Sequence, residues 1–159
     1  MERYIQPFIE VCKKVFKEFV SCDLTAERPY FIEKDAVNEW DISSVIGLTG
    51  EARGAVVISM KEDFAIRLTD RITGTAHKEL DDEVTDAIGE IVNIIAGNVK
   101  KNLEEAFRLV ISLPTIIQGK EHTIKWPVGH TRIICIPFKT LEDDYFNLSV
   151  AIESIKGAS

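Results

Sequence analysis

Three stretches of this chain place apolar residues at helical spacing, and several shorter ones read as strands. Ile5, Phe8, Ile9, Cys12, Val15, Phe16 and Phe19 form one stripe, which predicts a helix over residues 2–20 with Pro7 tolerable near its first turn. Phe64, Leu68 and Ile72 predict a short helix over 62–73, stopped by Gly74. The longest pattern is Val84, Ile88, Ile91, Ile95, Val99 and Ala106, predicting a helix from Asp81 to about Phe107. Asp81, Asp82 and Glu83 open it, where carboxylates suit the helix dipole.

Pro29-Tyr30-Phe31-Ile32 starts an extended segment. Residues 42–49 and 55–60 predict two strands, joined through a 50–54 loop with glycine at both ends. After the long helix, extended segments are expected at 109–118, 122–127 and 131–138, with Pro137 marking a strand end or an edge. In the last, Phe146, Leu148, Val150 and Ile152 alternate with Asn147, Ser149, Ala151 and Glu153, the pattern of a half-buried strand.

The two halves resemble each other. Each reads helix, then a proline opening a strand (Pro29, Pro114), then further strands, although chance likeness between amphipathic helices would give the same impression. Superposing the helices lays Glu10-Val11-Cys12-Lys13 on Glu90-Ile91-Val92-Asn93. The expected architecture is α/β (α+β), a single domain over 1–159. Two pseudo-symmetric helix–strand halves build one central, largely antiparallel sheet, with the two long helices on one face.

At 159 residues, 45% apolar and 28% charged, the chain has the balance of an ordinary globular protein. A net charge of −7 argues against nucleic acid or an anionic membrane surface as main partner. No apolar run is long enough for membrane insertion, and Glu2, Arg3 and Gln6 make the opening read as a helix rather than a signal peptide. Cys12, Cys22 and Cys135 show no CxxC spacing and read as reduced thiols of a cytoplasmic protein, Cys12 and Cys135 in the core.

The chemistry is expected on the long helix. At about 100° per residue, Asp86, Glu90, Asn93, Gly97, Lys100 and Glu104 fall together opposite the apolar stripe. Such a face is ordinarily a solvated surface. Here a carboxylate and a carboxamide lie three apart, and so project as neighbours. Gly97, one turn on, sits where glycine costs about 1 kcal/mol relative to alanine, which asks for a close approach by something else. Leu113-Pro114-Thr115 marks the change from helix to strand. His77, His122 and His130 lack metal-ligand spacing and are read as non-catalytic; no metal site is expected. Glu142-Asp143-Asp144 reads as a solvated loop rather than a cation site. Trp40 and Trp126 border strands, Trp126 in the core, at an edge or at an interface.

Asp86, Glu90, Asn93 and Pro114 match, in order and spacing, the signature of the CheC/CheX chemotaxis phosphatases, and Ala87 to Gly97 resembles the family's helix. Lys13 stands where a second site would carry its amide, so the chain looks like a single-site, CheX-type member. The resemblance implies hydrolysis of the aspartyl phosphate of the response regulator CheY. Asn93 would position the attacking water, and Glu90 would dock on the regulator's active-site lysine. Asp86 would assist at the rim, Gly97 would allow a receiver loop to approach, and Lys100 would offset negative charge on the regulator. It implies no cofactor of its own, because the regulator supplies a divalent cation (Mg2+). It also implies a homodimer through a sheet edge, for which residues 120–126 are the candidate. The same fold serves, by resemblance, in flagellar-switch components that bind without hydrolysis.

Overall fold

The stripe from Ile5 to Phe16 closes into helix α1 (Glu2–Val20), with Phe8, Cys12, Val15 and Phe16 buried and Ile5 and Ile9 packed at the margin. A computed structural model describes residues 2–106 and 108–155. Phe19 leaves the stripe and is 52% exposed. Two short strands follow, β1 (Leu24–Ala26) and β2 (Tyr30–Ile32), then β3 (Val37–Asn38) and the long hairpin β4 (Ile42–Gly50) and β5 (Ala52–Met60). The expected 50–54 loop is tighter than predicted, because Gly54 belongs to the strand. A Cβ there would lie 1.9 Å from the Ala151 carbonyl oxygen, so only glycine lets the neighbouring strand come this close.

Helix α2 (Glu62–Thr73) ends on Gly74 at φ 72°, whose N–H caps the Asp70 carbonyl. Helix α3 (Asp82–Leu103) is capped by the Asp81 carboxylate. It stops short of the predicted end: Ala106 is an exposed turn residue, and Phe107 lies outside the described residues.

The chain continues through β6 (Leu109–Ile111), β7 (Thr115–Gln118), β8 (His122–Thr123), β9 (Ile133–Thr140) and β10 (Tyr145–Ser154). The main sheet is antiparallel, ordered β1-β9-β10-β5-β4-β6, with β2 also on β9 and β7 also on β4. The pseudo-symmetry is visible in this order. Each half's pair of short strands, split by a proline, flanks the long hairpin of the other half, and the two shortest strands, β3 and β8, pair with each other. Both long helices lie on one face, over a core that includes Phe8, Phe16, Ile88, Ile95, Phe138 and Phe146. Phe146 stacks on Phe16, Phe64 and Phe138, with centroids 4.7, 5.9 and 5.3 Å away, tying α1 and α2 to the sheet.

Three strand expectations need correction. Residues 109–118 are two strands, because Pro114 cannot donate to a ladder and the chain bulges away from β4 before it. Of residues 122–127 only His122 and Thr123 form a strand, and they pair with β3 rather than offering an edge of the main sheet. The rest is extended, with Ile124, Trp126 and Val128 buried and Lys125, Pro127 and Gly129 exposed. The expected extended conformation is therefore present, but without a ladder.

That crossing covers the second face of the sheet, packing on Ala55, Val57, Ile133 and Ala151, so β10 is buried on both faces rather than one. Glu153 holds it there, accepting from the backbone of Gly129 and His130 at 2.9 and 2.8 Å and from Arg53 at 2.7 Å. These donors hold its carboxyl well below the usual carboxylate range. Pro137 is accommodated in a related way: its carbonyl accepts from Glu27 at 2.8 Å in the gap between β1 and β2, the side on which its own missing N–H would point.

Candidate functional site

Helix α3 is held at its start, along its inner stripe and beside its second turn. The Asp81 carboxylate accepts from Val84 N–H at 2.9 Å, satisfying one of the helix's free donors. His77, its side chain only 4% exposed, bridges the end of α2 to the first turn of α3. Its Nδ1 lies 2.8 Å from Asp70 and its Nε2 3.1 Å from Glu83. Bonding to Asp70, and next to Glu83, raises the imidazole's pKa above its ordinary value against the opposing effect of desolvation.

Val84, Ile88, Ile91, Ile95 and Val99 are buried beneath the helix, as the stripe predicts. Beside the second turn, the Pro114 ring lies against Gly89. A Cβ on Gly89 would be 3.3 Å from Pro114 Cγ and 3.7 Å from Ile116 Cδ1. This glycine lets the start of β7 lie close to the helix one residue before Glu90.

The outer face carries the candidate residues together. Asp86 and Glu90 are exposed; Asn93, Gly97 and Lys100 are half-buried. Glu104 lies just past the last helical residue. Among the described residues, the side chains of Asp86, Glu90, Asn93 and Lys100 take no hydrogen bond or ion pair, which leaves the carboxylate and the amide available to another molecule. A Cβ on Gly97 would meet nothing within 4 Å, so no packing among the described residues accounts for that glycine. The face is open helix surface. A cleft of about 210 Å3, lined by Trp40, Trp126, Asn147 and Ser149, lies away from it and is built on other elements.

The remaining polar residues take structural positions. His122 accepts or donates at Ser43 Oγ, 2.7 Å away, and its other nitrogen faces the Gly119 carbonyl at 2.8 Å. Trp126 is core. Glu142 and Asp144 pair with Arg71 and Arg67 of α2, and Asp143 with Lys139 at 3.0 Å, so these acids anchor the β9–β10 turn. No group of acids, histidines and cysteines suited to a metal ion occurs among the described residues. All three cysteines are buried, and burial pushes their thiols up, away from the reactive thiolate form. Among the described residues no helix is long and apolar enough to cross a membrane.

An antiparallel sheet of interlocked halves, with a signature-bearing helix open to solvent, defines the class of protein. The family model for the chemotaxis phosphatase CheX matches residues 42–139, a span that includes all of α3, and the chain belongs to this family. It is 28% identical over 113 residues to the CheY-P phosphatase CheX of Thermotoga maritima, covering 70% of this chain and 71% of that protein. The crystal structure of chemotaxis protein CheX from Vibrio vulnificus is 30% identical and covers 95% of this chain and 99% of its own, with a TM-score of 0.83. The crystal structure of the CheX–CheY–BeF3–Mg2+ complex from Borrelia burgdorferi shares the fold at 22% identity and a TM-score of 0.79, covering 95% and 98%.

Proposed function

We propose that this protein is a phosphatase that removes the aspartyl phosphate from a CheY-type receiver, acting as one domain over residues 1–159 in the cytoplasm. The observation that carries the reading is the state of Glu90 and Asn93: neighbours on an open helix face, without partners among the described residues. Such a pair has little to act on within its own molecule. It suits a reaction whose other parts belong to the substrate protein.

Phosphoryl transfer depends mainly on positioning and electrostatics. A receiver that holds its own divalent cation supplies the charge stabilisation, and an in-line water is what remains to be added. Asn93 orients that water with its carboxamide oxygen while its N–H2 donates elsewhere, with no titration required. Glu90 would be repelled by phosphoryl oxygens. It pairs instead with the receiver's active-site lysine and sets the docked pose. Gly97 leaves room for a receiver loop, Lys100 offsets acidic charge on the regulator, and Asp86 borders the contact. The chain brings no cofactor. The names of two relatives support the assignment, one a CheY-P phosphatase and the other a complex with CheY, BeF3 and Mg2+.

A homodimer joined through strand edges is part of this reading, with residues 120–126, which include β8, as its candidate edge. A monomeric mass at micromolar concentration would remove that element.

The test is the decay of phosphorylated CheY with wild type and with Asn93→Ala. Wild type accelerates decay and the variant is slower by roughly 10²-fold, the scale of one lost catalytic hydrogen-bonding group. Equal rates for the two would remove Asn93 from the chemistry. Wild-type protein that binds the regulator without changing its decay would make the chain a docking module instead.

A further inference from the structure

Resting on that reading, we propose that Leu113 is an apolar docking anchor for the same receiver domain, contributing to capture of the substrate and not to the chemical step. Leu113 is 85% exposed, more than any other large apolar side chain described. A leucine is an unusual choice for a strand-to-strand link, where polar residues and glycine are the rule.

The backbone that carries it is tied down. Ser112 N–H donates to the Gly47 carbonyl at 2.9 Å, Gly47 N–H donates to Ser112 Oγ at 2.8 Å, and the Ser112 hydroxyl donates to the Leu113 carbonyl at 2.9 Å. On the other side, Pro114 lies against Gly89 of α3, and β7 begins at Thr115. The side chain is thus held exposed by an ordered backbone rather than left on a loose loop.

Its position gives the anchor its partner. Leu113 adjoins the residue that touches α3 immediately before Glu90, so a receiver that reaches Glu90 and Asn93 meets this rim. The segment that packs on α3 thus carries an exposed apolar residue, and the helix position it packs on is followed by an exposed carboxylate. Together they complement a surface on which an apolar patch borders a lysine. Because the backbone on both sides of Leu113 is already tied down, burying its side chain against a partner orders no further loop, and the ordering cost is confined to one leucine's rotamers. The anchor deepens the Asn93 and Glu90 assignment by giving the docked pose a third, uncharged point.

The experiment compares Leu113→Asp, Leu113→Met and Leu141→Asp with wild type. Leu141, 77% exposed, is the control, because its turn is tied to α2 through Arg67 and Arg71 rather than to α3. Unchanged melting temperatures first establish that the variants fold. The expected result is a KM for phosphorylated regulator about tenfold or more higher in Leu113→Asp, with kcat within about twofold. Leu113→Met and Leu141→Asp should stay near wild type. A KM within twofold of wild type, or a fall in kcat at constant KM, overturns the anchor. Should wild type fail to accelerate decay, the phosphatase reading falls by itself. The anchor is then judged on binding of beryllofluoride-activated CheY: weaker binding by Leu113→Asp supports it, and equal or absent binding by both overturns it.

Discussion

Helices α1 and α3 occupy equivalent places in the two halves, and each presents a glutamate outward, Glu10 in one and Glu90 in the other. Their surroundings differ. Glu10 already has a local partner, the Gln6 amide at 3.3 Å, and the residue three along is Lys13. The position before Glu10 is Ile9, packed against the core, and Pro29 lines a cleft with Ile5 and Gln6 instead of lying against a glycine. In α3 the matching position is Gly89, with Pro114 drawn against it, and Glu90 and Asn93 are without partners among the described residues. A duplicated scaffold can therefore keep the outer glutamate of one helix engaged within the chain and leave that of the other open to solvent. What separates them is a glycine that admits a proline and an amide in place of an ammonium.

This contrast can be broken most directly at Asn93, where Asn93→Ala should cost roughly 10²-fold in dephosphorylation rate while binding survives. Next comes Glu90→Ala, expected to weaken regulator binding by about 2–5 kcal/mol, as truncation of one member of a buried interfacial charge pair does; calorimetry showing no loss would take Glu90 out of the interface. Gly97→Ala then separates two effects that normally run together. With nothing within 4 Å of the added Cβ, it should stabilise the free protein by about 0.5–1 kcal/mol. Regulator affinity should nonetheless fall if a loop of the partner needs that space, and an unchanged affinity would show that it does not. The smallest effect is expected from Lys13→Asn. Restoring the amide to α1 without the glycine–proline contact should add no measurable phosphatase activity in an Asn93→Ala background, and recovery of activity would show that the pair alone suffices.

The clamp at the start of α3 gives a pH test of the same helix. The folded-state pKa of His77 is raised, chiefly by Asp70 and next by Glu83. Its stabilisation is therefore complete below the unfolded-state value of about 6.5 and is lost as pH rises through the higher folded value. Denaturant midpoints measured across that window should fall with pH in wild type more than in His77→Gln. Parallel profiles would show that folding leaves the imidazole's pKa unshifted.

Much of this was legible in the residues. The stripes of α1, α2 and α3 appeared because each helix buries one side on the sheet, and burial writes a 3.6-residue period into the sequence. The inward and outward sides of α3, and hence the grouping of Asp86, Glu90, Asn93, Gly97 and Lys100, follow from the same periodicity. The strand boundaries around Pro114 and beyond His122 were less visible. Period-two alternation reports that a segment is extended between buried and exposed environments, as Ile124, Trp126 and Val128 are. It does not report whether a neighbour supplies a ladder.

By itself, then, the sequence determined which helix carries the polar pair, which face it occupies and which half lacks it, because helix geometry is local. Only the tertiary structure decided that Pro114 lies against Gly89, that Leu113 is held exposed beside it, and that each half's short strands flank the other half's hairpin. Those relations join residues far apart in the chain, and they depend on which backbones come close enough to share hydrogen bonds or exclude a Cβ. No periodicity encodes that.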